Sequence, residues 1–395
     1  MSKVNDLMKE LCPNGVKKYT IKDICLVTRG RVISKMELQE KAGEYPVYSS
    51  QTLNNGVFGK INSYDFDGEY VQWTTDGANA GSIFYRNGKF SVTNVCGLLK
   101  IKDEYLNKIR TDYLAYALTM ESKKYVNYAT SNPKLMSNVM ADMTVLIPPL
   151  EVQEEIVRIL DKFAELEAEL EVELEARKNQ YEFWRGTIIS NSNGKDGKLI
   201  ELLSGPITDG PHTTPKFVSE GIPFISASAV HEGKIHLKDA QGFITKEFDN
   251  ECSRKYKPRK WDVYMVKSGS TTGKVAIVDL DADFNIWSPL AAMRTDNEIT
   301  SRYLYHLLQT KDVQEQVRNR MSHGSQPNLS MRVLEQFDIK IPTLEEQHCI
   351  VNILDKFDKL INDISEGLPA EIELRRKQYE YYRNKLLSFE VCNDE

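Results

Sequence analysis

The chain repeats itself. IPPLEVQEEIVRILDKF at residues 147–163 returns 194 positions later as IPTLEEQHCIVNILDKF at 341–357, with ten or more identities in seventeen positions. RKNQYEFWR at 177–185 returns as RRKQYEYYR at 375–383, now shifted by 198, so four residues are inserted between the two blocks of the second copy. Likeness of this density does not arise from composition; it marks a duplicated structural unit. Upstream it fades but keeps its order. SNPKL (131–135) matches SQPNL (325–329), Gly77 and Gly81 answer Gly269 and Gly273, and GEYPVYSS (43–50) resembles GIPFISAS (221–228). The helical ends stayed alike while the globular parts diverged.

This pattern predicts a lead-in (1–15), a first globular domain (16–146), a first spacer helix (147–190), a linker (191–197), a second domain (198–340), a second spacer helix (341–389) and a tail (390–395). Short apolar runs bounded by Gly, Asn and Asp (YVQWT, SIFYR and VCGLL; PFISA, DVYMV and KVAIV) read as strands. Amphipathic helices are expected at 112–128 and 301–321. Each domain is therefore α/β, a mixed α+β fold. From residue 150 to about 189, Ile156, Ile159, Phe163, Leu166, Leu170, Leu174, Tyr181 and Trp184 fall at coiled-coil spacing with one stutter. Ile350, Ile353, Phe357, Tyr379 and Tyr382 are the counterparts in the second copy. A perfect tetrapeptide repeat, AELE AELE VELE, fills 164–175; the second copy has INDISEGLPAEIE there, with Gly367 and Pro369 placed to break or kink the helix. The two helices are expected to pair as an antiparallel coiled coil, relating the domains by a pseudo-two-fold axis. The plainer alternative is a dimerisation helix with a solvated acidic face.

The net charge of -6 argues at first against a nucleic-acid partner. The acid is confined, however: residues 146–195 hold 6 basic against 11 acidic side chains and residues 341–395 hold 7 against 12, whereas 16–145 holds 17 against 13. No stretch approaches eighteen apolar residues and the N-terminus lacks an apolar signal core, so a cytoplasmic protein is expected. The six cysteines form no CxxC or Cys/His cluster; they read as reduced thiols, and no metal site is expected.

Motifs for catalysis are lacking. GSTTGKV (269–275) has three residues between its glycines where a phosphate loop needs four, and Val275 follows its Lys. A glycine-bounded turn accounts for it and for GANAGSI at residue 77. His212 and His323 have no evident nucleophile or metal partner. What recurs in both copies is a set of polar loops beside basic pairs. Arg, Lys, Asn, Gln, Ser and Thr are the side chains that reach base edges and phosphates. The DNA-contact candidates are Arg29, Arg31, Ser50, Gln51, Asn54, Asn55, Lys60, Asn79 and Lys134 in the first copy. In the second they are Asp209, His212, Thr213, Thr214, Lys216, Ser270, Thr271, Lys274, Gln326, Asn328 and Arg332. Any one such loop is also what plain surface looks like.

These residues together resemble the specificity subunits of Type I restriction-modification enzymes. The likeness covers essentially the whole chain: LCPNGV at 11–16, two diverged target-recognition domains, TDGPHTTPKF leading to GIPFISAS, and the twice-used I-P-x-L-E-x-Q helix. The resemblance implies that each domain reads one half of a bipartite, asymmetric double-stranded DNA site and that the helices set the unread gap. It implies two modification subunits that dock on the helices, bind S-adenosylmethionine and methylate adenine, and restriction subunits that use ATP and Mg2+. This chain would bind no cofactor and catalyse nothing. The alternatives are a coiled-coil scaffold, the specificity subunit of a methyltransferase-only complex, and a standalone enzyme.

Overall fold

The structure, a computed structural model, describes residues 2–129, 131–322, 327–363 and 365–392. It has two compact units, residues 1–169 with 373–395 and residues 170–372. Helix Leu150–Ser190 contributes to both.

The first unit is centred on an antiparallel sheet of four strands in the order Cys25–Arg29, Cys96–Ile101, Tyr70–Thr74, Ile83–Arg86. The second unit repeats it as Thr208–Asp209, Leu290–Met293, Val263–Val266, Val275–Ile277. The central strands YVQWT and VYMV are buried on both faces, which is why they read as unbroken apolar runs instead of alternating ones. The polar exception, Gln72, accepts from Arg86 Nε at 2.7 Å.

Each unit adds a second sheet, of four strands in the first unit and three in the second, that contains one parallel pairing, Val47 against Ser91 and Phe224 against Asn285. Each also has a two-stranded ribbon: Lys17–Thr20 with Thr144–Ile147, and Lys195–Lys198 with Asp338–Ile341. Topology has kept the duplication where the sequence has nearly lost it. The ribbon also corrects the expected linker at 191–197, part of which is strand; its partner lies over a hundred residues away, so nothing local signals the pairing.

Helix Leu150–Ser190 is continuous over 41 residues. In the first unit its Ile156 and Leu160 join the core with Leu386, Phe163 stacks on Tyr382 (centroids 5.3 Å apart), and Glu167 pairs with Arg376 at 2.6 Å. Numbers rise on one helix as they fall on the other, so the packing is antiparallel. In the second unit Tyr181 stacks on Phe357 at 6.2 Å and the Asn193 amide donates to Glu346 at 2.9 Å, again antiparallel.

The break or kink expected at Gly367 and Pro369 is a break: the second spacer is two helices, Leu344–Asn362 and Leu368–Leu386. The first ends with Asp363 as its C-cap, and Gly367 lies between the two, where a Cβ would sit 2.7 Å from the carbonyl oxygens of Lys359, Leu360 and Asp363. Pro369 falls in the first turn of the next helix, where its missing N–H costs little. The helix expected at 301–321 is also two, Glu298–Leu308 and Lys311–Arg320, because Thr310 caps a new start by accepting from the Val313 amide. Its counterpart stops at Glu121 (Thr111–Glu121) and tightens into a 3-10 turn. Of the seam residues, Trp184 is 40% and Ile353 45% exposed. Arg185 turns inward in place of Trp184 and lies over the Tyr181 ring at 4.8 Å.

Candidate nucleic-acid interface

The glycine turns carry the best-defined polar surface. Gly77, Gly81, Gly269 and Gly273 all have positive φ (98°, 79°, 99° and 96°), a conformation that side chains disfavour. Each pair closes a turn between two antiparallel strands, whereas a phosphate loop leads from a strand into a helix. GSTTGKV is thus a hairpin turn.

Both turns are clipped to the same downstream segment by the same backbone bonds. In the first unit the Gly77 amide donates to Pro133 O (3.0 Å), Leu135 to Thr75 O (2.9 Å) and Asn127 to Lys134 O (2.8 Å). In the second, Gly269 donates to Pro327 O (2.9 Å), Leu329 to Lys267 O (2.7 Å) and Ser322 to Asn328 O (2.9 Å). The clip pairs Asp76 with Lys134 in the first unit and Ser268 with Asn328 in the second as antiparallel bridges.

In the first unit the candidates gather around a residue the sequence reading passed over, Asp76. Arg29 Nη2 lies 3.3 Å and Lys134 Nζ 3.8 Å from its carboxylate, and Asn79 donates to Ser50 O at 3.0 Å. Arg29 also donates to Thr75 Oγ1 (2.8 Å) and Asn94 O (2.9 Å). Arg31 does not join this group: Asp65 and Glu37 hold it, each at 3.0 Å. Lys60 lies exposed on strand Val57–Ile61.

Asn54 and Asn55 are exposed, with φ of 50° and 51°, consecutive left-handed residues that Asn tolerates better than most. Arg86, also missed, anchors them from below. It donates to Asn55 Oδ1 (3.0 Å) and Asn55 O (2.9 Å), and its guanidinium lies 3.7 Å from the Tyr48 ring centroid. Burial lowers its pKa to about 10, and among the described residues no carboxylate pairs with it. Gln51 donates back to Val57 O within the same loop.

In the second unit Asp209 is 1% exposed and is no surface reader: Lys255, Lys267 (3.4 Å) and His212 (3.2 Å) converge on it. Thr213, Thr214, Lys216, Ser270, Lys274, Asn328 and Arg332 are exposed, and Thr271 half-buried. Gln326 and His323 fall outside the described residues. The basic run at 254–260 (RKYKPRK), which supplies Lys255, was the signal that could have directed attention there. Folding also brings His231, Glu232 and His236 together, a grouping not expected from spacing along the chain.

Comparison with known proteins follows the same division. The model of the type I restriction modification DNA specificity domain matches residues 13–177 and again 211–374. A Mycoplasma pneumoniae protein described as a type I specificity subunit is 33% identical over 383 residues, 95% of this chain and 98% of its own. The specificity subunit of the type I restriction enzyme MpnII, from the same organism, is 43% identical over 176 residues, 44% of this chain and 52% of its own. Among solved structures, one titled for complex assembly and conformational transition of the type I R-M system is similar at TM-score 0.62 and 14% identity, covering 95% of this chain and 98% of that one. The crystal structure of a type I S subunit from M. genitalium is similar at TM-score 0.52 and 15% identity, covering 94% and 96%.

Proposed function

Since the chain belongs to the family of type I restriction-modification specificity subunits, we propose that its two units read the two halves of a bipartite, asymmetric DNA site, with the helices setting the gap between them. The observation that carries this reading is the clipped glycine turn, built twice from the same backbone bonds but presenting different side chains: Asn79 and Lys134 in one unit, Ser270, Lys274 and Asn328 in the other. A shared scaffold with divergent polar tips is what two readers of unlike sequences require, because base edges are distinguished by the donor and acceptor pattern presented to them.

The chain's place in this family suggests a non-catalytic role. Modification subunits dock along the acidic helices and supply S-adenosylmethionine-dependent adenine methylation; restriction subunits supply ATP- and Mg2+-dependent cleavage. Among the described residues no helix is long and apolar enough to cross a membrane.

Exchanging residues 196–340 for the corresponding domain of a relative, with modification subunits co-expressed, tests the reading through genome-wide methylation sequencing. One half of the methylated motif should change and the other stay. Change in both halves, or in neither, would overturn it.

A further inference from the structure

We propose that a hairpin of the second unit carries a binding site for a zinc-class divalent cation, formed by His231, Glu232 and His236. The inference is independent of how either unit reads DNA. HEGKIH at 231–236 folds as two short antiparallel strands, Val230–His231 and Lys234–Ile235, with Val230 opposite Ile235 and His231 opposite Lys234. The His236 amide extends the ladder to Ala229 O at 3.0 Å. Opposed residues share a face of a ribbon, and so do residues two apart, so His231 and His236 are diagonal neighbours on one side. Their rings lie 3.7 Å apart and within 9° of parallel.

The turn supplies the acid. Glu232 and Gly233 both have positive φ (53° and 73°), the two-residue turn that matches strand twist, but a position where Glu is unusual. Gly233 is fixed by the Tyr305 hydroxyl, 2.1 Å from where a Cβ would stand. The Glu232 carboxylate lies 3.9 Å from His236 Nε2, and Asp239 lies 2.9 Å from His231 Nε2. One ligand atom from each of His231, Glu232 and His236 falls within 4.8 Å of the others.

A second observation points to a ligand: His236 Nε2 is buried and has no hydrogen-bond partner. A buried imidazole nitrogen facing a carboxylate across a gap is satisfied when a cation sits between them. Two imidazoles and a carboxylate suit zinc and its neighbours, whereas magnesium and calcium favour all-oxygen sites. Tetrahedral zinc bonds of about 2.0–2.1 Å require donors roughly 3.4 Å apart, a closure within reach of the exposed Glu232 side chain. Asp239 behind His231 is where a carboxylate orients a metal-bound imidazole.

The full-length chain, stripped with chelator, is titrated with Zn2+ by calorimetry and with Co2+ by visible absorption. One equivalent of each should bind, Co2+ with tetrahedral bands, and zinc should raise the melting temperature. His236→Gln and Glu232→Gln should each weaken binding at least tenfold, whereas Cys349→Ser, at an exposed thiol elsewhere, should not. Glu232 is exposed, so its Gln variant remains informative should His236→Gln fold poorly. No binding by the parent chain, undiminished binding in both variants, or loss in Cys349→Ser would overturn the proposal.

Discussion

In the second unit Lys267 lies 3.4 Å from the buried carboxylate of Asp209. The sheet registers show what this pair replaces. Asp209 and Met265 both oppose Ala291, as Arg29 and Trp73 both oppose Gly97. Asp209 therefore stands where Arg29 does, and Lys267 where Thr75 does, next to Asp76. One domain puts its cation on the edge strand and its acid at the turn; the other puts the acid on the edge strand and the cation at the turn. The same scaffold thus carries opposite charges at one matched position, Arg29 and Asp209, and places each counter-charge at or beside the following turn.

Asp209→Asn should cost about 3 kcal/mol, because Lys267, only 10% exposed, would lose its buried counter-charge. Arg29→Gln removes a cation that is 38% exposed and should cost about 1 kcal/mol or less. Chemical denaturation of the two variants against the parent checks the contrast, and equal losses would contradict it.

Gly97 and Trp73 make a second test at the same registers. A Cβ at Gly97 would lie 2.1 Å from the fully buried indole, whereas the other unit places Ala291 opposite the slimmer Met265. Gly97→Ala should destabilise by about 1–3 kcal/mol through overpacking. Adding Trp73→Met should recover most of that loss in thermal melts, since it rebuilds the pair already accommodated in the second unit.

Much of this was written in the chain, though unevenly. The spacer helix was legible because Ile156, Phe163 and Tyr181 repeat at helical spacing, and the strands because YVQWT and DVYMV are buried on both faces. The turn glycines were legible because Gly77 and Gly269 need positive φ. Asp76 and Arg86 were not: their roles depend on partners such as Arg29 and Asn55, which only the folded sheet brings near. Asp209 looked like one polar loop residue among others, since the lysines that converge on it, Lys255 and Lys267, lie far along the chain and meet it only in the fold. The metal-ligand grouping was hidden because His231 and His236 become neighbours only across a hairpin register.

Glu155 gives a pH signature. Hydrogen bonds from Arg158 (2.9 and 2.7 Å), then from Lys3 (3.0 Å), lower its carboxyl pKa from 4.5 to about 2. A pKa depressed on folding contributes stability that is present above the unfolded value and lost as pH falls through the folded one. Glu155→Gln should therefore melt earlier than the parent at pH 7, with the gap narrowing between about pH 5 and pH 2. A gap that stays constant with pH would assign the loss to packing.

Asn54 stands exposed at the tip of a loop held by Arg86 through Asn55. Asn54→Ala and Thr213→Ala should each weaken binding to the cognate site by about 1–3 kcal/mol while leaving non-specific DNA binding at fixed salt nearly unchanged. Gel-shift titrations of the assembled complex on cognate and scrambled duplexes separate the two. Equal losses on both would identify phosphate or structural contacts instead.

The tetrapeptide repeat offers the most direct test of the helix as a spacer. Deleting residues 164–167 or 168–171 yields the same chain, because both read AELE. A Glu still follows Phe163 by four positions, so the ion pair to Arg376 re-forms, and Leu170 and Leu174 step into the places of Leu166 and Leu170. Four residues are about 6 Å and little more than one turn, so the apolar seam keeps its phase. With about 3.4 Å per base pair, the unread gap should shorten by about one or two base pairs while both half-sites stay the same. Methylation sequencing reads both quantities at once, and an altered base within either half-site would show that the helix does more than set distance.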